Sequence, residues 1–440
     1  MRLDRSAFIA LRSRNYRLLW IGLVISTSGS MMQMAAILWH VSLLAPPERK
    51  GLMLGLVGLV RVVPIVAFSL VSGAVADAFD RRKVMLVTQC CLAVVAGTLA
   101  LITFRGHEAL LPIYVLAALG SAAGSFDGPA RQSLFPNLVP VDALPNAISL
   151  NTIMFQIASV VGPTLSGIVI ATLGVGWVYL LNALSFFAVI VALLWMRDVP
   201  RRVGVRERAL RPEAIREGLR FVFRAPLIRS TMLLDFFATF FSSATALLPI
   251  FAQDILHVGA KGYGWLYAAP SVGALAAGAA MVHFVERIEK RGRTLILAVL
   301  GYGAATVVFG LSRSFWLTFL CLGLTGATDT VSMVLRNIVR QLSTPDHLRG
   351  RMTSINMIFF MGGPQLGEME AGAVASWLGA PSSVVLGGVA CLGTTMWVAR
   401  KTPALLNYRR RDALLRPETG ERGPGDEREK EPVEDILQDR

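Results

Sequence analysis

The sequence predicts an all-α integral membrane protein, with twelve transmembrane helices in two pseudo-symmetric six-helix bundles. Three observations lead there. Apolar runs of membrane-spanning length alternate with short charged clusters. Lys and Arg fall almost entirely on alternate loops. The two halves share a spaced set of residues. Of the 440 residues, 54% are hydrophobic and only 16% charged, where a soluble chain carries about 25% charged residues.

The apolar runs are roughly 18 to 25 residues long, the length that crosses a hydrocarbon core about 30 Å thick. Spans one to six are read at 18–44, 52–76, 84–104, 110–130, 148–171 and 177–197, and spans seven to twelve at 227–252, 264–284, 294–312, 316–335, 352–376 and 382–400. Backbone polar groups in hydrocarbon must be satisfied internally, so these runs are helices. They lack the period-two alternation of a β-barrel strand. The first apolar run is too long for a signal-peptide core and is expected to remain as an uncleaved helix.

The segments between and around the spans complete the organisation. Residues 1–17 form an N-terminal segment, 18–197 the first bundle, 198–226 a linker, 227–400 the second bundle and 401–440 a tail. In the linker, Ile215, Leu219, Val222 and Phe223 share one helical face and Arg216, Arg220 and Arg224 another. That pattern suits an amphipathic helix on the membrane surface, or a solvated helical linker. The tail mixes charges with few large apolar residues and is expected to be disordered.

Orientation follows from the cations. With the N-terminus in the cytoplasm, 37 of the 43 Lys and Arg lie on the cytoplasmic side and 5 on the other, while Arg61 falls within a span. The net charge of +14 is thus a topology signal, and a nucleic-acid partner is not expected. Cys90, Cys91, Cys321 and Cys391 all fall in spans, without disulfide or metal-ligand spacing.

The halves repeat. Arg131, Pro140, Asp142, Asn151 and Gly162-Pro163 recur as Arg336, Pro345, Asp346, Asn356 and Gly363-Pro364, at offsets between 201 and 205. Five matches in order indicate a duplicated six-helix unit.

The loop after the second span runs from Gly73 through Asp77 and Asp80 to Arg81, Arg82 and Lys83. It resembles the signature loop of the major facilitator superfamily. Gly162-Pro163 and Gly167 are similar to the motif of that superfamily's exporters. Gly128-Pro129, Leu138-Val139-Pro140, Asn151 and Gly367-Glu368 resemble the bacterial branch that includes the enterobactin exporter. Residues of about 10–400 take part. The pattern departs at Ala78 and Asp80, where the superfamily usually has Arg and Gly. Its second copy, Glu286-Arg287 to Arg291-Gly292-Arg293, is degenerate, and span four lacks the embedded Arg of many drug exporters. The resemblance implies alternating access between two rocking halves. Gly73, Asp77, Arg81 and Arg82 would then gate the cytoplasmic side, and Gly162, Pro163 and Gly167 would form a hinge or a seal between halves. The plainer readings are topology-setting basics and an ordinary bent packing helix.

Charges inside a bilayer are costly and mark function. Arg61 is expected to face the central cavity and to pair with an acid or bind an anionic group. The acids available are Glu368, Asp235 and Asp329, with Glu370 and Asp127 less well placed. Residues two apart on a helix are separated by roughly 200°, so Glu368 and Glu370 cannot both face a cavity. Glu368 is preferred, and a carboxyl withdrawn from water favours its neutral form, so it can carry a proton. The alternative for each acid is a fixed ion pair that only packs the bundle. Gln33, Asn151 and Asn356 are candidate substrate contacts or bridges between helices.

The expected function is proton-coupled export of a small amphipathic molecule, siderophore-like or drug-like. Uptake or facilitated transport on the same fold is the alternative, and a non-transporting membrane scaffold is a third reading. No phosphate-binding loop with Gly-Lys-Ser/Thr occurs, and His107-Glu108 lacks a second His four residues after the first, so an ATP-driven pump and a zinc protease are not expected. No enzyme activity and no cofactor are expected. The expected partners are a small-molecule substrate, protons and membrane lipids, for a monomer in the bacterial cytoplasmic membrane with both termini cytoplasmic.

Overall fold

Within residues 9–197 and again within 222–410, helices of up to 33 residues joined by short turns run back and forth. The computed structural model describes residues 9–197, 220 and 222–410. In the first set α1 spans Arg14–Leu44, α2 Lys50–Ala78, α3 Arg81–Phe104, α4 Leu110–Leu134, α5 Leu144–Thr172 and α6 Val175–Trp195. In the second set α7 spans Pro226–Phe241, α8 Gly259–Phe284, α9 Arg291–Leu311, α10 Phe315–Leu342, α11 Asp346–Leu378 and α12 Ala380–Lys401. Among the described residues, eleven helical segments are long and apolar enough to cross a membrane; α11 is a further helix of 33 residues.

Local chemistry sets the ends. Asp80 caps α3, its carboxylate accepting from the Arg82 N–H at 3.0 Å. The position that departs from the superfamily loop thus has a structural use, worth roughly 1 kcal/mol. Gly174, between α5 and α6, has φ of 95°, and Gly379, between α11 and α12, has φ of 84°. Only glycine enters that region without strain. The two lie 205 positions apart, the spacing that separates Arg131 from Arg336.

One span is broken. α7 ends at Phe241, and the chain continues through 3₁₀ turns at Ala244–Leu247, one α turn and a π turn at Phe251–Ile255. The span predicted over 227–252 is present within Pro226–Ile255, with its helix interrupted. Ser242 and Ser243 leave the ladder, and irregular backbone at that depth survives only where protein or a cavity covers it.

Packing within the first set joins α1 to α5 and α6, α2 to α4, and α3 to α4 and α6. Within the second, α8 meets α10, α9 meets α10 and α12, and α11 meets α7 and α12. The sets are joined chiefly by α2 against α11 and by α5 against α8. Following the turns within each set, and with the starts of α2 and α8 lying against the last turns of α11 and α5, α1 starts and α12 ends at the same end of the molecule, here the terminal end; the other is the far end.

The predicted linker helix lies outside the described residues except for Arg220 and 222–226. The tail is ordered to Arg410, contrary to the disorder expected from 401. Leu405 and Tyr408 are buried, Gly292 N–H donates to Tyr408 O at 3.0 Å, and Arg410 N–H donates to Glu289 O at 2.9 Å. A few apolar anchors hold this stretch, and the polar composition of the remainder hides them. Residues 411–440 lie outside the described residues.

Candidate functional site

The contacts that join the two sets gather in the far half. A Cβ on Gly372 of α11 would stand 2.5 Å from Gly51 O and 2.7 Å from Gly55 Cα of α2. A Cβ on Gly264 of α8 would stand 2.6 Å from Pro163 O and 2.9 Å from Gly167 Cα of α5. Backbones touch at both places, as small residues permit. Hydrogen bonds surround them. Tyr263 OH donates to Ala35 O at 2.8 Å and Leu52 N–H to Ser376 Oγ at 2.7 Å. Lys50 Nζ meets Asp254 Oδ2 and Gln253 Oε1, both at 2.9 Å, and Gln253 donates to Ser42 Oγ at 2.7 Å.

Just below this seal lies Glu368. Its side chain is 6% exposed and sits against Gly58 of α2, where a Cβ would come within 2.9 Å of Glu368 Oε2. The cation that acts on it is Arg61, one turn further along α2, and Tyr267 of α8 lies within the field of both. Arg61 also donates to Met34 Sδ at 3.6 Å. Gln365 Oε1, one turn before Glu368, is buried without a hydrogen-bond partner among the described residues. Glu370 is only half-buried.

A second cluster lies inside the second set. Arg336 of α10, 1% exposed, holds Asp235 of α7 at 2.9 Å and Asp329 of α10 at 3.3 Å. The Asp235 contact is an ion pair without hydrogen-bond alignment, since Asp235 Oδ1 and two of the Arg336 nitrogens are left without aligned partners. Arg340 approaches Asp235 Oδ2 at 3.7 Å, donates to Asn337 Oδ1 at 2.7 Å and bonds Asn356 of α11. The sequence places Arg336 and Arg340 among the loop cations, just past the predicted end of span ten. The structure corrects that: both are buried and neutralised by acids. The spacing of Asp329, Arg336 and Arg340 on one face of α10, opposite an acid in span seven, was the available signal.

The remaining candidates divide. Gln33 accepts from Asn182 at 2.7 Å and bridges α1 to α6. Asn151 Oδ1 is buried without a partner among the described residues. Gly162 packs on Ser28 and Met31 of α1 within its own set, so only Pro163 and Gly167 lie at the junction of sets. Arg81 donates to Ser133 O at 3.0 Å and Arg82 to Leu194 O at 3.1 Å. They cap the C-terminal carbonyls of α4 and α6, as cations favour. Among the described residues, Gly73 has nothing within 4 Å of where a Cβ would stand. The Asp77 side chain lies outside the described residues. Asp127 is buried and accepts from Gln89 at 2.9 Å and Thr88 at 3.2 Å.

The family model for transmembrane secretion effectors matches residues 5–408. The chain belongs to the transmembrane secretion effector family. It is a membrane transporter of the major facilitator superfamily and not an enzyme. This secretion effector is 29% identical over 323 residues to the enterobactin exporter EntS of Shigella boydii serotype 18, an alignment covering 73% of this chain and 77% of that protein. It is 28% identical to the enterobactin exporter EntS of Escherichia coli O81 over the same length. Its backbone matches a bacterial homologue of the iron transporter ferroportin in an inward-facing state, with a TM-score of 0.68 at 16% identity, covering 90% of this chain and 99% of that one. A bacterial homologue of the human lysosomal transporter Spinster, inward-facing and unoccupied, gives a TM-score of 0.68 at 13% identity, with 89% and 96% covered. These two likenesses establish the fold.

Proposed function

We propose that this secretion effector is a proton-coupled exporter of a small amphipathic molecule, siderophore-like or drug-like. In this reading twelve spans form two six-helix bundles, both termini are cytoplasmic, and a monomer works in the bacterial cytoplasmic membrane. The observation that carries the reading is the Glu368 carboxylate. It is buried against Gly58, with Arg61 one turn further along α2, beneath the seal at the far end. A carboxyl there can hold a proton when the site is dry and release it when water reaches it.

The terminal end is read as open. Among the described residues nothing lies within 4 Å of where a Cβ on Gly73 or Gly362 would stand, and Val63, Val66, Phe68 and Val71 are exposed along α2. Such a cleft suits a molecule with an apolar body entering from the cytoplasm or inner leaflet. The enterobactin exporters among the relatives support a siderophore-like cargo. The sets then rock, the terminal end closes, the far seal parts, and cargo leaves while a proton reaches Glu368. Each charge moved inward gains about 2.3 kcal/mol per 100 mV of membrane potential.

Efflux from cells against a panel of siderophores and drugs, with and without a protonophore, tests this. Glu368→Gln is expected to reach the membrane at wild-type level and to lose gradient-driven efflux. Full activity in that variant removes Glu368 from the mechanism. Accumulation in inverted vesicles indicates export, and its absence indicates uptake.

A further inference from the structure

The break in α7 has a chemical use of its own. Beside it, walled by α7, α8, α9 and α10, is a cavity of about 130 Å³, room for several water molecules. Ser242, Thr245, Tyr302, Thr306, Thr325 and Asp329 line it. Its oxygens are arranged to accept. Thr306 Oγ1 gives its hydrogen to Tyr302 O at 2.9 Å, and Thr325 Oγ1 gives its own to Leu322 O at 2.6 Å. Each hydroxyl therefore keeps its lone pairs free. Ser242 Oγ, in a residue 7% exposed, is buried beside the Cys391 thiol and has no oxygen or nitrogen partner among the described residues. The last carbonyls of α7 end at this point, and a helix C-terminus carries partial negative charge. Asp329 supplies a full one. Its side chain is 39% exposed, and only its Oδ1 engages Arg336, at the longer of that arginine's two ion-pair distances.

We propose that this cavity binds one small monovalent cation through oxygen atoms, either hydronium or sodium, independently of Glu368. Hard oxygen donors at the end of an interrupted helix suit both ions. Binding at Asp329 competes with Arg336, which then rests wholly on Asp235 and tightens α10 against α7. In the hydronium case the proton passes to Asp329, leaving a carboxylic acid and a water molecule in the cavity. In the sodium case the ion is coordinated and no bond is made or broken. The charged and titratable groups facing Asp329 are Arg336 on its own helix, Tyr302 of α9, Asp235 of α7 and Cys391 of α12; Arg340 faces Asp235.

The full chain, purified in detergent, is the test material. Its thermal unfolding is measured in sodium chloride against choline chloride at equal ionic strength, then in choline between mildly alkaline and mildly acidic pH. The wild type is expected to be stabilised by sodium or by acid, which identifies the ion. In the Glu368→Gln background, which removes that carboxyl's own proton uptake, the response is expected to persist, Asp329→Asn to abolish it and Ser242→Ala to raise the ion concentration it needs severalfold. Should Asp329→Asn fail to fold, Ser242→Ala carries the test alone, and an unshifted response in it overturns the proposal. Equal responses with and without Asp329→Asn in that background overturn it, as does loss of the response in Glu368→Gln alone.

Discussion

Arg336 holds two carboxylates at once, and the effect of removing it follows from their burial. Arg336→Ala leaves Asp235, itself 2% exposed, with only Arg340 at 3.7 Å. Stripping one partner from a buried ion pair costs about 3 to 5 kcal/mol. Thermal unfolding in detergent is expected to show a loss of that order. Asp235→Asn combined with Arg336→Gln is expected to recover part of it, since no buried charge is then left bare at Asp235, while Asp329, 39% exposed, can turn to water. This was the part of the site least legible in the sequence. Arg61 declared itself because it stands alone in mid-span and needs a partner, and Glu368 was a ready candidate. Arg336 and Arg340 stand at the end of an apolar run, where a cation that fixes topology and a cation that pairs inward look alike. Only the fold, by setting α7 beside α10, separates the two.

At the scale of elements, the glycine contacts decide how the far end is held. The Lys50–Asp254 pair is partly exposed, with Asp254 at 51%, and such pairs contribute about 0 to 1 kcal/mol. Backbone contact of α2 with α11 excludes any added side chain, and overpacking a tight contact costs about 1 to 3 kcal/mol. Gly372→Val is therefore expected to part the far end, whereas Lys50→Ala leaves it closed. A cysteine placed at Met53, in a background lacking Cys90 and Cys91, reads this out through its labelling by an impermeant maleimide. Gly372→Val should label several times faster. Lengths, ends and order of the helices were readable from apolar runs and Asp80. The break at Ser242-Ser243 was not, because two serines inside an apolar run read equally well as small packing residues. Nor was the pairing of Gly167 with Gly264, which depends on a helix three spans away.

For the whole molecule, the described residues bring the start of α1 and the end of α12 to one end. Reporter fusions at both termini are expected to give the same, cytoplasmic, signal; opposite signals overturn the proposed topology. Alternating access adds a reciprocal expectation. Cysteines at Gly73 and at Met53 should exchange reactivity when cargo or a proton gradient is supplied, the first falling as the second rises. Parallel changes in both argue for a channel or a scaffold. Five residue pairs pointed to a duplicated unit, and Gly174 and Gly379, both at positive φ, stand at the same spacing.

The glycine seal has a kinetic consequence. Where main chain lies directly on main chain, no rotamer can shift to accept a partial separation. The junction is fully seated or fully parted, and half-way arrangements are high in energy and briefly lived. In the proposed cycle, switching between the two orientations is then abrupt, with no lasting path open to both ends. A bulky residue at Gly372 or Gly264 ought to produce slippage, with the gradient dissipated and no cargo moved, rather than a slower pump that keeps its stoichiometry.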